Sequence, residues 1–567
     1  MDKRYVIALV LMGLVMIGWI YLQTKIGPPG ARGKRAEERT AQQEVQPEPQ
    51  PQVESVEISK PPPEKAGKRG KIVTVETDLY TAKFDTKDAT AISWKLKGYR
   101  KKHSQTAEPI DLIPFSAMYC LEMEFEDPSL QWLAAEGTWE VDKNELVLTD
   151  QNPTGTLTFT ARLGELLAVK KVLTFHKETY TVDMEIKFEN LSDSPLDRMK
   201  GGYSLKWGPG ISSDSKKSMR RYGPRVFTVE GKLVKKQKEK ERPSKPLWVA
   251  LNSRYFAAAI IPDQSLNSIY MIKKITTSEQ TVPMYVESPD DLVELVVTGL
   301  NLAPKEVKSN RFRLFVGPKV NSLLKKVEAP GNPIYRIRLD QLINFGFFGW
   351  LSKIMLSILL FFHGLVRNYG AAIILLTILI NIVLYPLTLK RIKSTREMQR
   401  LQPKIAKLRE KYRDDPQRMN KELMKLYKEH GVNPMGGCWP MLLQLPIFWA
   451  LFNTLREAIE LRGAHFILWI KDLSEPDTLG VIPGIGIPIR ILPILMGISM
   501  FYQQKISTAS TDPQQAKYMK YLPFIFTLFF FGFPSGLVLY WLSNNVLTII
   551  QQYIMNWWSI GDKKEVS

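Results

Sequence analysis

Side chains capable of covalent or metal chemistry are few in this chain and do not cluster along it. Five histidines are scattered over its length: His103, His176, His363, His430 and His465. No two of them have the HxxxH or HExxH spacing that places two metal ligands on one helix face. Cys120 and Cys438 lie in a polar and an apolar half of the chain, so we expect neither a disulfide nor a cysteine metal site. Ser535 adjoins an apolar segment, but Phe533 stands where a GxSG nucleophile motif requires glycine, so the sequence predicts neither an enzyme nor a bound cofactor.

Polar side chains at helical spacing inside apolar segments are the stronger chemical signal. Thr377, Asn381 and Tyr385 are four residues apart, so they share one face if the segment is a helix. An unpaired amide in hydrocarbon is costly, and this face should therefore line protein or water rather than lipid. Two further apolar segments carry polar residues, namely Gln444 on one and Tyr540, Ser543, Asn544, Thr548, Gln551 and Gln552 on the other. Hydrogen bonds between helices could explain any one of them, whereas three polar faces together favour a shared hydrated groove.

The elements that must position these residues occupy the back half of the chain. Its mean hydropathy of -0.15 averages a polar front half and a very apolar back half. Five apolar segments are predicted to span a membrane: residues 371–389, 436–461, 485–504, 521–533 and 537–556. They are joined by a basic segment (390–435), an outer loop (462–484) and a cytoplasmic loop (505–520), and a cytoplasmic tail (557–567) follows.

The front half contains an apolar start, a linker and a β-rich region. Residues 1–24 include an 18-residue apolar run without a small-x-small cleavage site, which predicts an uncleaved signal anchor and a cytoplasmic N-terminus. Residues 25–70 are rich in Pro, Gln, Glu and Lys, which predicts a flexible linker. Residues 71–335 alternate apolar and polar positions in short runs such as YTVDMEIKFEN. This pattern predicts an antiparallel β-sandwich outside the cytoplasm.

The net charge of +20 would suit nucleic acid, an anionic membrane surface or basic cytoplasmic loops. The segment from Lys390 to His430 carries 14 Lys or Arg and 6 Asp or Glu, a net charge of +8. If the apolar run within residues 336–370 spanned the membrane, this basic segment would face outward, against the positive-inside rule. We therefore predict an amphipathic helix in the outer interface for residues 336–370, and no recognition of a specific nucleic-acid sequence.

The basic segment also has the pattern of a helical hairpin. Its first half repeats apolar residues at spacings of 3, 4, 3 and 4: Met398, Leu401, Ile405, Leu408 and Tyr412. Asp414, Asp415 and Pro416 predict a turn, an N-cap and the start of a second helix. Seven basic residues of the first half are candidates for a docking surface: Arg396, Arg400, Lys404, Lys407, Arg409, Lys411 and Arg413. A solvated loop that only fixes topology is the alternative.

Three stretches together resemble the YidC/Oxa/Alb family of membrane insertases: NYGAAIILLTILINIVLYPLT, the hairpin from LQPKIAKL to FWALF, and FPSGLVLYWLSNNVLTIIQQ. In the front half, KPLWVALNSRYFAAAIIP resembles the periplasmic domain of the Gram-negative members. The resemblance covers nearly the whole chain. It implies a multi-spanning α-helical protein of the cell inner membrane, with six transmembrane helices, a five-helix insertase core and a periplasmic antiparallel β-sandwich.

The resemblance also implies function and partners. The expected function is insertion, folding and assembly of membrane proteins through a groove open to cytosol and lipid, with nascent membrane proteins, the ribosome, the Sec translocon and membrane lipids as partners. Thr377, Gln444, Tyr540 and Trp541 match groove-lining positions, and Asn381 stands where many members carry a basic residue. A secondary transporter of a small solute is the alternative, although neither paired broken helices nor an internal repeat is evident.

Overall fold

The computed structural model of the chain describes residues 70–100, 108–113, 120–212, 222–236, 244–274, 286–287, 291–331, 334–412, 415–431, 439–483, 486–507 and 513–561. These ranges leave out the predicted anchor (1–24) and the predicted linker (25–70) apart from residue 70. They also leave out Arg413 and the last six residues of the predicted tail.

Residues 70–331 form a β-rich region. Its strands are β1 (Ile72–Glu76), β2 (Tyr80–Asp85), β3 (Thr90–Arg100), β4 (Pro109–Asp111), β5 (Met123–Phe125), β6 (Glu140–Val141), β7 (Glu145–Val147), β8 (Thr154–Leu163), β9 (Leu167–His176), β10 (Thr181–Asn190), β11 (Tyr203–Trp207), β12 (Ile211–Ser212), β13 (Gly223–Thr228), β14 (Leu233–Val234), β15 (Pro246–Asn252), β16 (Phe256–Pro262), β17 (Ser268–Lys274), β18 (Val286–Glu287), β19 (Asp291–Val297) and β20 (Val307–Pro318). A short helix α1 (Pro128–Glu136) lies between β5 and β6, and a second, α2 (Asn321–Lys326), follows β20.

The strands form three main sheets. A nine-stranded sheet has the order β14-β13-β15-β16-β20-β10-β9-β8-β6, a five-stranded sheet the order β4-β3-β2-β1-β7, and a four-stranded sheet the order β17-β19-β11-β5. The five- and nine-stranded sheets pack face to face, since the Phe84 ring lies 5.9 Å from Phe159 and 6.0 Å from Phe175. The predicted alternation is present in β10, where Val182 and every second residue after it are buried. One pair departs from the antiparallel pattern, because β1 and β7 are parallel.

Residues 334–561 are mainly helical. The helices are α3 (Gly349–Val366), α4 (Tyr369–Val383), α5 (Tyr385–Lys411), α6 (Pro416–Glu429), α7 (Trp439–Glu457), α8 (Ile491–Ser507), α9 (Pro513–Phe530) and α10 (Ser535–Gly561), with 3-10 turns at Leu339–Leu342 and Ile459–Leu461 and a strand pair β21 (Gly480–Val481) and β22 (Pro488–Ile489). Of the described helices, only α3 is both long and apolar enough to cross a bilayer by length and composition; Tyr369–Val383 and Tyr521–Phe530 are apolar but shorter. The interfacial placement of residues 336–370, which include α3, stays a prediction.

Two predicted segments differ from the helices observed. The predicted span 371–389 is not one helix, because α4 ends at Val383 and α5 begins at Tyr385. Pro386 has no N–H to donate to residue 382, and its ring disfavours a continuous helix at this point. The predicted loop 505–520 is shorter than expected, since α8 continues to Ser507 and α9 begins at Pro513. A proline is well tolerated in the first turn of a helix, where its missing N–H has no helical partner.

The β-rich region and the helices are joined through two strands that are buried on both faces. All residues of β15 and β16 are buried. Side chains on one face of these strands, such as Val249 and Ile260, belong to the core between the sheets. Side chains on the other face, such as Trp248 and Ala259, belong to the core shared with the helices. The Trp248 indole Nε1 also donates to the Ile337 carbonyl at 2.8 Å. Double burial explains why these two strands are continuously apolar rather than alternating.

Polar contacts reinforce this junction. The side chain of Arg254 is nearly buried. Its guanidinium donates from Nε to the Arg456 carbonyl at 2.8 Å and from Nη2 to the Ser474 carbonyl at 3.3 Å. The Tyr222 hydroxyl donates to the buried Glu457 carboxylate at 2.8 Å. The β-rich region is therefore fixed to the end of α7 and to the loop that follows.

The buried Lys171 of β9 gives a pH-dependent prediction. Its Nζ donates to the carbonyls of Ala89 and Leu121 at 2.9 and 2.6 Å, and burial lowers the pKa of Lys171 from 10.5 to about 7. The unfolded chain keeps this proton up to its ordinary pKa, so between pH 7 and about 10 the unfolded state binds more protons than the folded state. The free energy of unfolding should therefore rise with pH in that window, by up to about 1.4 kcal/mol per pH unit.

Urea unfolding of the full chain in detergent, followed by tryptophan fluorescence, measures this slope. The Lys171→Met variant should lack the rise between pH 7 and 10, although it also loses two hydrogen bonds and is less stable at the alkaline end. Equal slopes in the two proteins would show that Lys171 does not change its proton affinity on folding.

Candidate functional site

Helix α4 positions the first candidate residues. The Asn368 side chain caps its start by accepting a hydrogen bond from the Ala371 N–H at 3.0 Å. Thr377 is fully buried, and its hydroxyl donates to the Ile373 carbonyl at 2.7 Å. One turn later, the Asn381 amide donates to the Thr377 carbonyl at 2.9 Å. Thr377 and Asn381 thus lie on the same face of α4, as their spacing predicted.

Asn381 joins α4 to α10. Its Nδ2 also donates to the Asn544 Oδ1 at 3.0 Å, and both side chains are half-buried. The Asn544 carbonyl in turn accepts from the Thr548 hydroxyl at 2.8 Å. We refer to Thr377, Asn381 and Asn544 as the polar cluster. Within these otherwise apolar helices, Asn381 thus hydrogen-bonds to both Thr377 and Asn544.

Tyr385 does not continue the polar face of α4. It is the first residue of α5 and follows the break at Leu384, and 42% of its surface is exposed. The expectation that Thr377, Asn381 and Tyr385 lie on one uninterrupted helix is therefore wrong. The cause is Pro386, which prevents the regular hydrogen-bond ladder from continuing.

Tyr540 and Trp541 lie on different faces of α10, because consecutive residues of an α-helix are about 100° apart. Tyr540 is buried, and its hydroxyl makes no hydrogen bond of normal geometry among the described residues, although Gln444 is its polar neighbour. The Trp541 ring instead packs edge-on against Phe448 of α7 at 5.0 Å and lies 5.2 Å from Phe530 of α9. Trp541 therefore contributes to an aromatic core beside the polar cluster.

Sequence reasoning missed Asn545, which is also part of the polar contacts of α10. Its Nδ2 donates to the hydroxyl of Ser499 on α8 at 3.0 Å, and both side chains are buried. The adjacent residues Asn544 and Asn545 thus tie α10 to two different helices. The pair of asparagines was visible in the sequence, but only their neighbours distinguish the two contacts.

The loop after α7 packs against the start of α10, and we call this contact the seal. Ser535, at the start of α10, is fully buried and its hydroxyl donates to the Asp472 carbonyl at 2.7 Å. The Gly536 N–H donates to the Leu473 carbonyl at 2.9 Å, and a β-carbon at residue 536 would lie only 3.0 Å from that oxygen. Ser535 is therefore a packing residue in this seal, and its hydroxyl is not presented to a substrate.

The described helices expose many large apolar side chains. On α9, Phe524, Leu528 and Phe529 are at least 60% exposed, and Ile498 of α8 is equally exposed. Large contiguous apolar surfaces on a protein mark contacts with lipid or with other proteins. Ile382 and Val383, next to Asn381 on α4, are 64% and 68% exposed, so apolar surface also adjoins the polar cluster.

Helices α5 and α6 form the predicted hairpin. Leu401, Ile405 and Leu423 are buried against one another, with Met398, Met419, Leu426 and Tyr427 packed around them. Asp415 caps α6 by accepting from the Arg418 N–H at 3.0 Å, and Pro416 occupies the first turn. Of the predicted stripe, Met398, Leu401 and Ile405 belong to this cluster, whereas Leu408 and Tyr412 are not among its members. The predicted N-cap is present.

Most of the proposed docking residues lie on the outer surface of α5. Arg400, Lys404, Lys407 and Lys411 are exposed, and Arg409 is half-buried. Lys404 contacts His430, just after α6, with 2.9 Å between Nζ and Nε2. Arg396 belongs to α5. No group of three or more His, Cys, Asp or Glu that could hold a metal occurs among the residues with described positions.

Comparison with known proteins gives matches over almost the whole chain. Residues 72–358 match the family model described as YidC periplasmic domain, and residues 361–562 match the one described as 60Kd inner membrane protein. The membrane protein insertase YidC of Syntrophus aciditrophicus is 36% identical over 98% of this chain and 99% of its own. The membrane protein insertase YidC of Geobacter metallireducens is 35% identical over 98% of each chain. Among solved structures, an active YidC insertase crystal structure with its first transmembrane domain resolved is 19% identical, covering 86% of this chain and 94% of that one, with a TM-score of 0.35.

The contact between Asn381 and Asn544 should stabilise the packing of α4 against α10. A double-mutant cycle with Asn381→Ala and Asn544→Ala is expected to give a coupling energy of about 0.6 to 1.7 kcal/mol, the range for hydrogen bonds between membrane helices. Unfolding of the four proteins in mixed detergent micelles measures it. Additive effects of the two substitutions would contradict a direct bond.

The hairpin depends on burial of its apolar stripe. Ile405→Asp places a charge among Leu401 and Leu423 and should destabilise the helix pair by about 3 kcal/mol. Ala406→Asp, at an exposed position of the same helix, is the matched control. Limited trypsin digestion of the full chain should cleave within residues 396–428 at least tenfold faster in the first variant only, and equal rates would contradict the packing described.

Proposed function

The chain belongs to the YidC family of membrane protein insertases, and we propose that the polar cluster of Thr377, Asn381 and Asn544 borders the path taken by hydrophilic segments of its substrates. The protein inserts membrane proteins and is not an enzyme that catalyses a chemical reaction. As in its relatives, a periplasmic domain accompanies an inner-membrane insertase region.

We propose six membrane spans, with both termini in the cytoplasm. The anchor in residues 1–24 supplies the first, and the segments containing α4, α7, α8, α9 and α10 supply the others. The basic hairpin, with its net charge of +8 between Lys390 and His430, then lies in the cytoplasm, as the positive-inside rule requires. The same topology puts the loop that seals Ser535 on the periplasmic side.

The observation that carries the proposal is the pairing of two amides, Asn381 with Asn544, beneath a sealed outer end. Gln444 and the Tyr540 hydroxyl, which are neighbours, add further hydrogen-bonding capacity. A hydrophilic segment entering from the cytoplasm can exchange hydrogen bonds with these groups instead of losing its water without compensation. The seal at the other end keeps the route from becoming an open pore.

Energetics limit what such a route can move. A central Leu, Ile, Val or Phe contributes roughly 0.3 to 0.6 kcal/mol to insertion of a substrate helix, while a charged residue costs roughly 2.5 to 3.5 kcal/mol. One apolar helix can therefore offset a short tail with about two charges, but not a folded domain. We propose that short-tailed substrates insert unaided and that larger ones require the Sec translocon.

Charge is not the means of capture at the polar cluster. Asn381 is uncharged, and the next basic residues toward the hairpin, Lys390 and Arg391, follow the break at Leu384. Asparagine offers a donor and an acceptor, so it can hydrogen-bond to main chain as well as to acidic or basic side chains. This favours broad selection of substrate tails over selection for negative charge.

The hairpin is proposed as the docking element. Exposed Arg400, Lys404, Lys407 and Lys411 give it a basic outer surface on a helix stiffened by the apolar stripe. A solvated loop would satisfy the positive-inside rule without that stripe, so the rigid form suggests contact with a partner. Ribosomal RNA and the acidic surface of a targeting factor both have the required charge.

Replacing Asn381 with Leu should slow insertion of a short-tailed substrate several-fold in reconstituted vesicles, because the tail loses a hydrogen-bonding partner. Asn545→Leu is the matched control, since it also removes one contact of α10, but toward α8. Protease protection of the substrate tail measures insertion. If wild type and Asn381→Leu are both folded and insert the substrate at equal rates, the polar cluster does not border the substrate path.

Access of water to the cluster gives an independent test. In a chain with Cys120 and Cys438 replaced by Ala, single cysteines are placed at residues 381 and 545 and exposed to a membrane-impermeant maleimide. The cysteine at 381 should react at least tenfold faster, because 545 is buried against Ser499. If the cysteines at both positions fail to react with the maleimide, that result would contradict a hydrated groove.

A further inference from the structure

A cavity of about 430 Å³ lies where α3 turns into α4, opposite the loop that follows α7. Its volume is within the range of small-ligand sites, about 300 to 1,000 Å³. The residues that matter are His363, Arg367 and Tyr369 on one side and Glu460, Arg462 and His465 on the other. None of them belongs to the polar cluster or to the hairpin.

The charges in this cavity have both signs. Arg462 is oriented by the β-rich region: its guanidinium lies 5.9 Å from the Tyr99 ring and 5.5 Å from the Phe256 ring, and it donates to the Arg100 carbonyl. Arg367 is exposed at the end of α3, and Glu460 is half-buried. Two guanidinium groups favour a phosphate, whereas the carboxylate disfavours a simple anion and favours an ammonium group. A zwitterion with both groups matches this arrangement.

The surroundings of the cavity are apolar and exposed. Leu365, two residues before Arg367, is 65% exposed, and Phe361, on the same helix, is 64% exposed. On the opposite side, Leu468 is 75% exposed and holds a left-handed backbone conformation with φ of 54°. Such a conformation is unfavourable for leucine. Polar groups within an exposed apolar rim are typical of a surface that meets the lipid interface.

We propose that this cavity binds the headgroup of a phospholipid carrying a primary ammonium, as in phosphatidylethanolamine. The phosphate is held by Arg367 and Arg462, the ammonium by Glu460, and the acyl chains lie along the exposed face of α3 beside Phe361 and Leu365. Because Arg462 also contacts the Tyr99 and Phe256 rings, the bound lipid is linked to the β-rich region through this guanidinium. The site thus connects that region to the lipid around the helices.

The test uses the full chain, stripped of lipid in detergent and given one dioleoyl lipid at a time. Native mass spectrometry counts the lipid retained from phosphatidylethanolamine, phosphatidylglycerol or phosphatidylcholine. Wild type should retain one phosphatidylethanolamine with at least fivefold higher occupancy than either of the others. Phosphatidylcholine has no N–H to donate to Glu460, and phosphatidylglycerol has no cation. Equal occupancy of the three lipids, or a preference for phosphatidylglycerol, would overturn the proposal.

Two variants locate the site. Arg367→Gln, at an exposed position, should lower retention of phosphatidylethanolamine at least fivefold. Glu460→Gln should reverse the preference toward phosphatidylglycerol, because the phosphate contacts remain and the ammonium contact is lost. Arg311→Gln and Glu165→Gln, at exposed positions of the β-rich region, are the controls and should retain the lipid as wild type does.

Thermal unfolding shows whether each variant is folded. If Glu460→Gln is unfolded, the Arg367→Gln result decides the question. Unchanged retention in Arg367→Gln, or an equal loss in Arg311→Gln, would contradict the site. Soluble phosphoethanolamine bound as tightly as the lipid would contradict a lipid-facing site.

Discussion

A polar group inside an apolar helical core is stable only where a protein group or water can hydrogen-bond to it, and this constraint organises the helical half of the molecule. Asn381 donates a hydrogen bond to Asn544, and Asn545 donates one to Ser499. These two contacts fix α10 between α4 and α8. At the start of the same helix, Ser535 is satisfied by the Asp472 carbonyl. The partners are neutral, so the helices are linked without a buried charge that would need neutralising.

The same constraint explains how the β-rich region is attached. Strands β15 and β16 are apolar on both faces because each face enters a different core. Their main-chain groups are paired within the sheet, while Arg254, just before β16, reaches across to carbonyls at the end of α7 and in the following loop. A guanidinium with five donors can satisfy several carbonyls that a helix end leaves unpaired. The large extracytoplasmic region is thereby joined to the seal over the helical core.

Insertion of membrane proteins requires a route that is polar enough to admit hydrophilic residues and closed enough to prevent leakage. Neutral amides suit the first requirement, since they exchange partners without favouring either sign of charge. Packing of the loop after α7 against Ser535 and Gly536 suits the second. A lipid held beside Arg367 and Glu460 would place the surrounding bilayer in contact with the same loop. In our proposal, docking, the substrate route and the seal lie on separate elements, so each can be altered without the others.

The sequence by itself determined the features that depend on local periodicity. The alternation of β10, the apolar stripe of α5 and the cap at Asp415 all arise from residues within a few positions of each other. The break at Pro386 is equally local, but the helical spacing of Thr377, Asn381 and Tyr385 led us to predict one continuous helix there. Tertiary structure alone decided which polar residues meet. Asn381 and Asn544 are 163 residues apart, and adjacent Tyr540 and Trp541 differ in surroundings because helix packing turns one toward Gln444 and the other toward Phe448. Hydrophobic pattern fixes which residues avoid water, whereas the choice of partner depends on how distant helices pack, and no local pattern contains that information.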